Sequence, residues 1–260
     1  MSDVDQEQPF LSHLVELRTR LLRMAVGVLI VFAVLVPFAN PIYEILAEPL
    51  LAQLPEGNEM VAIDPVSPFL TPMKLTLVLA LFIAMPWVLY QLWAFVAPGL
   101  YHFEKRLVAP ILVTSTMLFY CGMAFAFYII LPIFFAFITS TAPEGVAVMT
   151  DIGRYLDFVL TLFFAFGIAF EVPIATVILV LVGVTTPEAL VAKRPYVILG
   201  AFIVGMLLTP PDVISQTLLA LPMWVLFEIG VFCSRMLIRR RQEANQVSST
   251  SLDRYHDKDL

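Results

Sequence analysis

Residues 163–183 read FFAFGIAFEVPIATVILVLVG, a run with one charged residue, Glu171, near its middle. This stretch decides the fold class. About 20 consecutive apolar residues is what a helix needs to cross a hydrocarbon core about 30 Å thick. The rest of the chain agrees: 60% of the 260 residues are hydrophobic and 14% charged, and the mean hydropathy is +0.90. A soluble domain carries about 45–50% apolar and about 25% charged residues. The sequence is therefore that of an all-α integral membrane protein. Within it, Glu171 costs about 2.5–3.5 kcal/mol at a helix centre on insertion scales. Four turns of Leu and Val carry that cost, but the carboxylate needs a partner: another span of the bundle, a water-filled groove or a docked helix.

Six candidate spans follow along the chain, at about 21–38, 69–96, 107–138, 155–182, 196–208 and 213–236. The fifth is short, about 13 residues or about 20 Å, and stops at the sequence TPP, Thr209 to Pro211. Spans five and six are thus expected to be short, with a bilayer thinned beside them. Pro86, Pro110, Pro132, Pro173 and Pro222 fall inside spans, which predicts kinked helices whose freed carbonyls are satisfied by neighbours. The acidic start, MSDVDQEQPF, is not followed by a short apolar stretch with a small-residue cleavage site. The first apolar run is expected to serve as its own insertion signal and to remain.

Charge gives the direction. Arg18, Arg20 and Arg23 precede span one; Lys105 and Arg106 lie between spans two and three; Lys193 and Arg194 lie between spans four and five. Arg235, Arg239, Arg240 and Arg241 follow span six. The opposite loops hold only Lys74 and Arg154, near helix ends, and the first of them is acidic, with Glu44, Glu48, Glu56, Glu59 and Asp64. Both termini are expected in the cytoplasm, as an even number of spans requires. In the first outer loop, Asn40 and Pro41 suit a helix start, and a short helix is expected over 42–54. Residues 1–238 form the expected membrane domain. Residues 239–260 read as a polar, unpatterned, disordered cytoplasmic tail.

Polar residues concentrate in two places. Asp212, Ser215, Gln216 and Thr217 open span six beside Met206 and Thr209 at the end of span five. On the cytoplasmic side, Glu16 and Arg20 stand four apart and can pair on a helix surface, and Glu104 sits beside Lys105 and Arg106 in an aromatic-rich segment with Phe95, Tyr101 and Phe103. Cys121 and Cys233 lie in apolar runs as packing residues. His13, His102 and His256 show no metal-ligand spacing. Hydrolase and metalloprotease motifs and a phosphate-binding loop are all missing. No metal, cofactor or nucleic acid is expected.

The segments SHLVELRTRLL, YQLWAFVAPGLYHFEKR, FAFGIAFEVP, KRPYVILGAFIVGMLLTPPDVISQ and FEIGVF, in this order between about Phe10 and Arg235, resemble TatC, the receptor subunit of the twin-arginine protein translocase. The resemblance implies a concave, glove-like bundle of six spans in the bacterial inner membrane. It implies a receptor that binds the twin-arginine signal peptides of folded precursors, works with TatB and recruits TatA, driven by the proton-motive force and without enzymatic activity. Self-association within a receptor complex is also implied. Carried onto this sequence, the signal-binding residues are Glu16 and Glu104, supported by Arg18, Pro86, Phe95 and Leu100. Pro49 matches a residue of the first outer loop, and Asp212, at the outer start of span six, is a second structural residue of the periplasmic side. Glu171 matches the family's intramembrane glutamate, and Met206, Thr209 and Gln216 match a polar patch where partner helices dock. The alternative function is a proton- or ion-coupled secondary transporter using Glu171 and Asp212; the lack of internal repeats speaks against it.

Overall fold

A computed structural model of the chain describes residues 4–44, 65–96, 108–141, 151–208 and 213–256. They are helical almost throughout: α1 Val4–Leu35, α2 Ser67–Ile83, α3 Met85–Val96, α4 Val108–Phe125, α5 Leu131–Thr141, α6 Ile152–Ala169, α7 Val172–Leu181, α8 Pro187–Ala192, α9 Arg194–Leu208 and α10 Val213–His256. Four stretches are long and apolar enough to cross a membrane: Leu14–Glu44, Ala109–Phe137, Gly153–Leu181 and Val213–Arg239. The α2–α3 pair, bent by 52°, makes a fifth if it counts as one span. The expected fifth span is α9, whose 15 residues fall short of that length. The chain divides into two compact units, residues 1–167 and 168–260.

Prolines set the breaks in the first unit. Pro86 has no N–H to offer the carbonyl of Phe82, four residues back, and its ring crowds that carbonyl. The helix bends between Ile83 and Met85, and the Tyr120 hydroxyl of α4 donates to the freed Phe82 oxygen at 2.9 Å. That is the replacement a helix in hydrocarbon requires. Pro132 acts in the same way on the third apolar stretch: the turn before it, Ala126–Ile130, widens into a π-helix. Two tryptophans of α3 then fasten the unit. Trp87 Nε1 donates to the Arg23 carbonyl of α1 at 3.0 Å, and Trp93 Nε1 donates to Ser115 Oγ of α4 at 2.8 Å. Gly27 makes room for the first: a Cβ there would lie 2.6 Å from Trp87 Cδ1. Phenylalanines close the α5–α6 contact, with Phe134 stacked on Phe158 at 4.6 Å between ring centroids.

The second unit packs α7 and α9 against α10. Pro173 lies in the first turn of α7, where its missing N–H is not needed. The helix ends on Gly183, at φ +80°. The Val184 amide bonds the Leu179 carbonyl and the Gly183 amide bonds that of Val180, a Schellman stop that glycine permits. Thr186 caps α8, accepting from the Ala189 amide at 3.2 Å. Val180, Leu190, Phe227 and Val231 form the core between them. Beyond Arg239, where the sequence reads as an unpatterned tail, the backbone continues α10 to His256. Arg, Gln, Glu and Ala dominate the first part of that stretch and are good helix formers, with no Gly or Pro to stop them. The short helix expected over 42–54 begins within the described residues, since 39–44 are helical; its remainder lies outside them.

The tightest approach in the second unit is at Gly230, where a Cβ would overlap Thr176 Oγ1 and stand 2.9 Å from the Pro173 Cα. Gly230→Ala should therefore destabilise the protein by about 1–3 kcal/mol. Gly200→Ala, with nothing within 4 Å of the added carbon, should be neutral or slightly stabilising. Thermal unfolding in one detergent compares the two; equal midpoints would refute the packing described.

Candidate functional site

Glu16, Arg18 and Arg20 share the amino-terminal half of α1. Arg20 grips the Glu16 carboxylate through two donors on one oxygen: Nε to Oε1 at 2.9 Å and Nη2 to Oε1 at 2.6 Å. The third edge of the guanidinium, Nη1, points to Gln91 Oε1 of α3 at 3.4 Å. The Gln91 side chain belongs to the core, only 2% exposed. The Arg20 and Glu16 side chains remain 18% and 34% exposed. Among the described residues, Glu16 Oε2 accepts no hydrogen bond. Arg18 is exposed, and Pro86 and Phe95 are half-buried on α3. Leu100 and Glu104 lie outside the described residues, so the second recognition carboxylate is not placed.

A groove of about 640 Å³ begins at Thr19, beside this cluster, and is lined by Leu22, Val26, Ile30, Ile83, Pro86 and Trp87. Its walls are apolar apart from Thr19 and Arg23. A second cleft in this unit, about 550 Å³, holds Lys74 paired with Asp157 at 2.5 Å and Arg154 at 3.9 Å from Asp151. Asp151 also accepts the Gly153 amide at 3.2 Å. These pairs account for the two basic residues of the otherwise acidic loops.

In the second unit, Glu171 stands at the break between α6 and α7. Its amide bonds the Ile168 carbonyl at 3.0 Å, and its own carbonyl accepts from Ala175 at 2.9 Å. The residue is half-buried and its Oε1 is shut off from solvent. Position accounts for its tolerance: it precedes the first turn of α7, where the helix dipole favours negative charge. Met206 is 51% exposed near the end of α9. Gly205 brings that end against α10, since a Cβ there would stand 3.4 Å from the Gln216 carbonyl oxygen. The end of α9 that carries Met206 thus lies next to half-buried Gln216. Thr209, Asp212 and Pro49 fall outside the described residues.

Two groups escaped the sequence analysis. Gln91 lies inside the segment YQLWAFVAPGLYHFEKR, and a glutamine in an apolar helix is itself a signal. The other is the Arg194–Glu228 pair between α9 and α10, Nη2 to Oε2 at 2.5 Å. Arg194 Nε and Glu228 Oε1 are buried beside it without a partner among the described residues. The described residues hold no cluster that could bind a metal ion.

Apolar helices of spanning length, a proline bend relieved by a hydroxyl of a neighbouring helix and ion pairs between helices define a multi-pass α-helical membrane protein. Residues 12–222 match the family described as Sec-independent protein translocase protein (TatC). The Sec-independent protein translocase protein TatC of Azotobacter chroococcum is 59% identical over 241 residues, covering 93% of this chain and 94% of the relative. That of Escherichia coli K12 is 56% identical over 243 residues, covering 92% and 94%. A crystal structure described as twin arginine translocase receptor TatC superposes with a TM-score of 0.78 at 39% identity, covering 86% of this chain and 98% of the other. The chain belongs to the TatC family of protein translocase subunits, multi-pass proteins of the inner membrane. That assignment favours protein translocation over the ion-coupled transporter that the sequence left open.

Removing one member of the Arg194–Glu228 pair strands the other in a half-buried site. Glu228→Gln should cost about 1–2 kcal/mol, less than the 3–5 of a fully buried pair because the Arg194 side chain is 41% exposed. Adding Arg194→Gln should recover part of the loss. A double-mutant cycle on unfolding midpoints checks this, and strictly additive losses would remove the coupling.

Proposed function

We propose that the protein is the receptor subunit that binds twin-arginine signal peptides of folded precursors through Glu16 and Glu104 at the cytoplasmic face. In this reading it has six spans with both termini inside, α9 counting as the short fifth. It joins TatB-type and TatA-type single-span partners and further copies of itself. Their docking surface is the patch of Met206, Thr209 and Gln216, with Glu171 meeting a polar group on a docked helix, and transport draws on the proton-motive force. Residues 1–238 carry the membrane domain and 239–260 a cytoplasmic extension.

The observation that carries the proposal is the state of Glu16. Its carboxylate already holds a guanidinium, through Nε and Nη2 of Arg20, so the local geometry suits an arginine head group. A planar fork suits a carboxylate better than the point charge of lysine does. The apolar groove starting at Thr19 gives the hydrophobic part of a signal peptide a surface on which to continue. Arg18 and Arg20, with Lys105 and Arg106 near Glu104 in the sequence, repel cationic peptides that lack matched carboxylates.

Glu16→Ala and Glu104→Ala should each weaken binding of an Arg-Arg signal peptide without loss of membrane insertion, and Glu104→Arg should weaken it more. Each lost charge-assisted bond is worth about 1.5–3 kcal/mol before solvent screening reduces it. Peptide titration of the membrane-embedded protein measures the effect. Equal binding of Arg-Arg and Lys-Lys peptides by the native chain would sink the site. The topology has its own test in a chain freed of Cys121 and Cys233. Cysteines at Gly57 and Glu144 should react with an impermeant maleimide from outside, while those at His102 and Lys193 stay protected; external labelling at His102 would overturn the orientation.

A further inference from the structure

Arg20 and the arginines of a signal peptide carry the same chemical group, and Glu16 is the carboxylate both would use. Arg20 approaches side-on, placing Nε and Nη2 on the single oxygen Oε1. An incoming guanidinium that pairs fork-to-fork needs Oε1 as well as Oε2. Two cationic heads on one carboxylate also repel. Arg20 must therefore loosen when the site fills, yet its side chain is only 18% exposed and cannot simply turn to water. Among the described residues an acceptor lies within reach: Gln91 Oε1, 3.4 Å from Nη1 at present and on a side chain that is 2% exposed. A buried amide oxygen on a neighbouring helix is a fixed partner for a displaced guanidinium, and a shorter bond to it is open to Arg20.

We infer that Arg20 is an intramolecular competitor for Glu16, displaced by the guanidinium of the signal peptide onto Gln91, and that Arg20 and Gln91 together set how tightly the peptide is held. The inference rests on the proposed signal-peptide site and adds its regulation. An arginine exchanges one fork for another, so the carboxylate is never left bare during binding or release. Apparent affinity falls by the fraction of molecules in which Glu16 is free. The return of Arg20 then assists release of the peptide.

The experiment uses the full chain in lipid nanodiscs, with a fluorescent signal peptide bearing Arg-Arg and its Lys-Lys counterpart, on variants whose thermal midpoints match the native chain. Arg20→Gln should bind the Arg-Arg peptide about fivefold more tightly. Lys193→Gln removes the same charge from an exposed position outside the site and should change affinity less than twofold. Gln91→Leu should weaken binding about threefold in the native chain, since the displaced arginine loses its acceptor, and should have no effect once Arg20 is Gln. Unchanged or weaker binding by Arg20→Gln overturns the competitor. Equal tightening by Lys193→Gln overturns it too, since bulk charge would then explain the effect. An equal loss from Gln91→Leu in both backgrounds overturns the handover. A native chain that binds Arg-Arg and Lys-Lys peptides alike removes the signal-peptide site itself, a result distinct from the others.

Discussion

A helix in hydrocarbon has no water to complete its hydrogen bonds, and each proline that enters one removes a donor. The bends of this protein follow from that constraint. At Pro86 the carbonyl of Phe82 loses its partner, and the Tyr120 hydroxyl on α4 replaces it at 2.9 Å. The bend thus ties α4 to the α2–α3 junction, and the same turn places Trp87 to reach the Arg23 carbonyl of α1. At Pro132 no side chain is needed, because the preceding turn widens to a π-helix. At Pro173 a two-residue turn, Phe170–Glu171, separates α6 from α7 within one spanning stretch, and the proline falls in the first turn of α7.

These same prolines mark where sequence analysis reached its limit. Span positions were legible, because an apolar run of spanning length has few alternatives: the long stretches at Leu14–Glu44, Ala109–Phe137, Gly153–Leu181 and Val213–Arg239 overlap expected spans. The prolines announced kinks, but not which form each would take. Whether a proline gives a 52° bend, a π-turn or a two-residue turn depends on what stands within reach, such as the Tyr120 hydroxyl, and that is a tertiary fact. The end of α10 was misjudged for another reason. The segment after Arg239 lacks an apolar pattern, yet its first residues favour helix locally and follow directly from a helix already formed, so no new nucleus is needed.

For the sites, the carboxylates were legible and their partners were not. Glu171 stands out as the one charge in a 21-residue run, but periodicity gives no sign that the helix breaks there. Ending up just before the first turn of α7 makes the residue more tolerable, since the positive end of a helix dipole favours a carboxylate. Glu16 and Arg20 were readable as a pair from their spacing of four. Gln91, which completes the cluster, is 71 positions away from Arg20, and only the packing of α3 on α1 brings it there.

The ion pairs of this protein differ in what depends on them. Arg194–Glu228 joins α9 to α10, and Lys74–Asp157 joins α2 to α6. Both join residues far apart in sequence, so these pairs tie helices together; Arg194–Glu228 is the less exposed of the two. Glu16–Arg20 lies within a single helix, one turn apart. Pairs at that spacing on a helix contribute about 0.3–0.5 kcal/mol, and although this one is partly buried, α1 is also held to α3 by Trp87, with Gly27 making room for it. Opening it therefore disturbs no packing. The proposed exchange of one guanidinium for another calls for an ion pair of this kind, local and replaceable, and Glu16–Arg20 stands where the apolar groove begins.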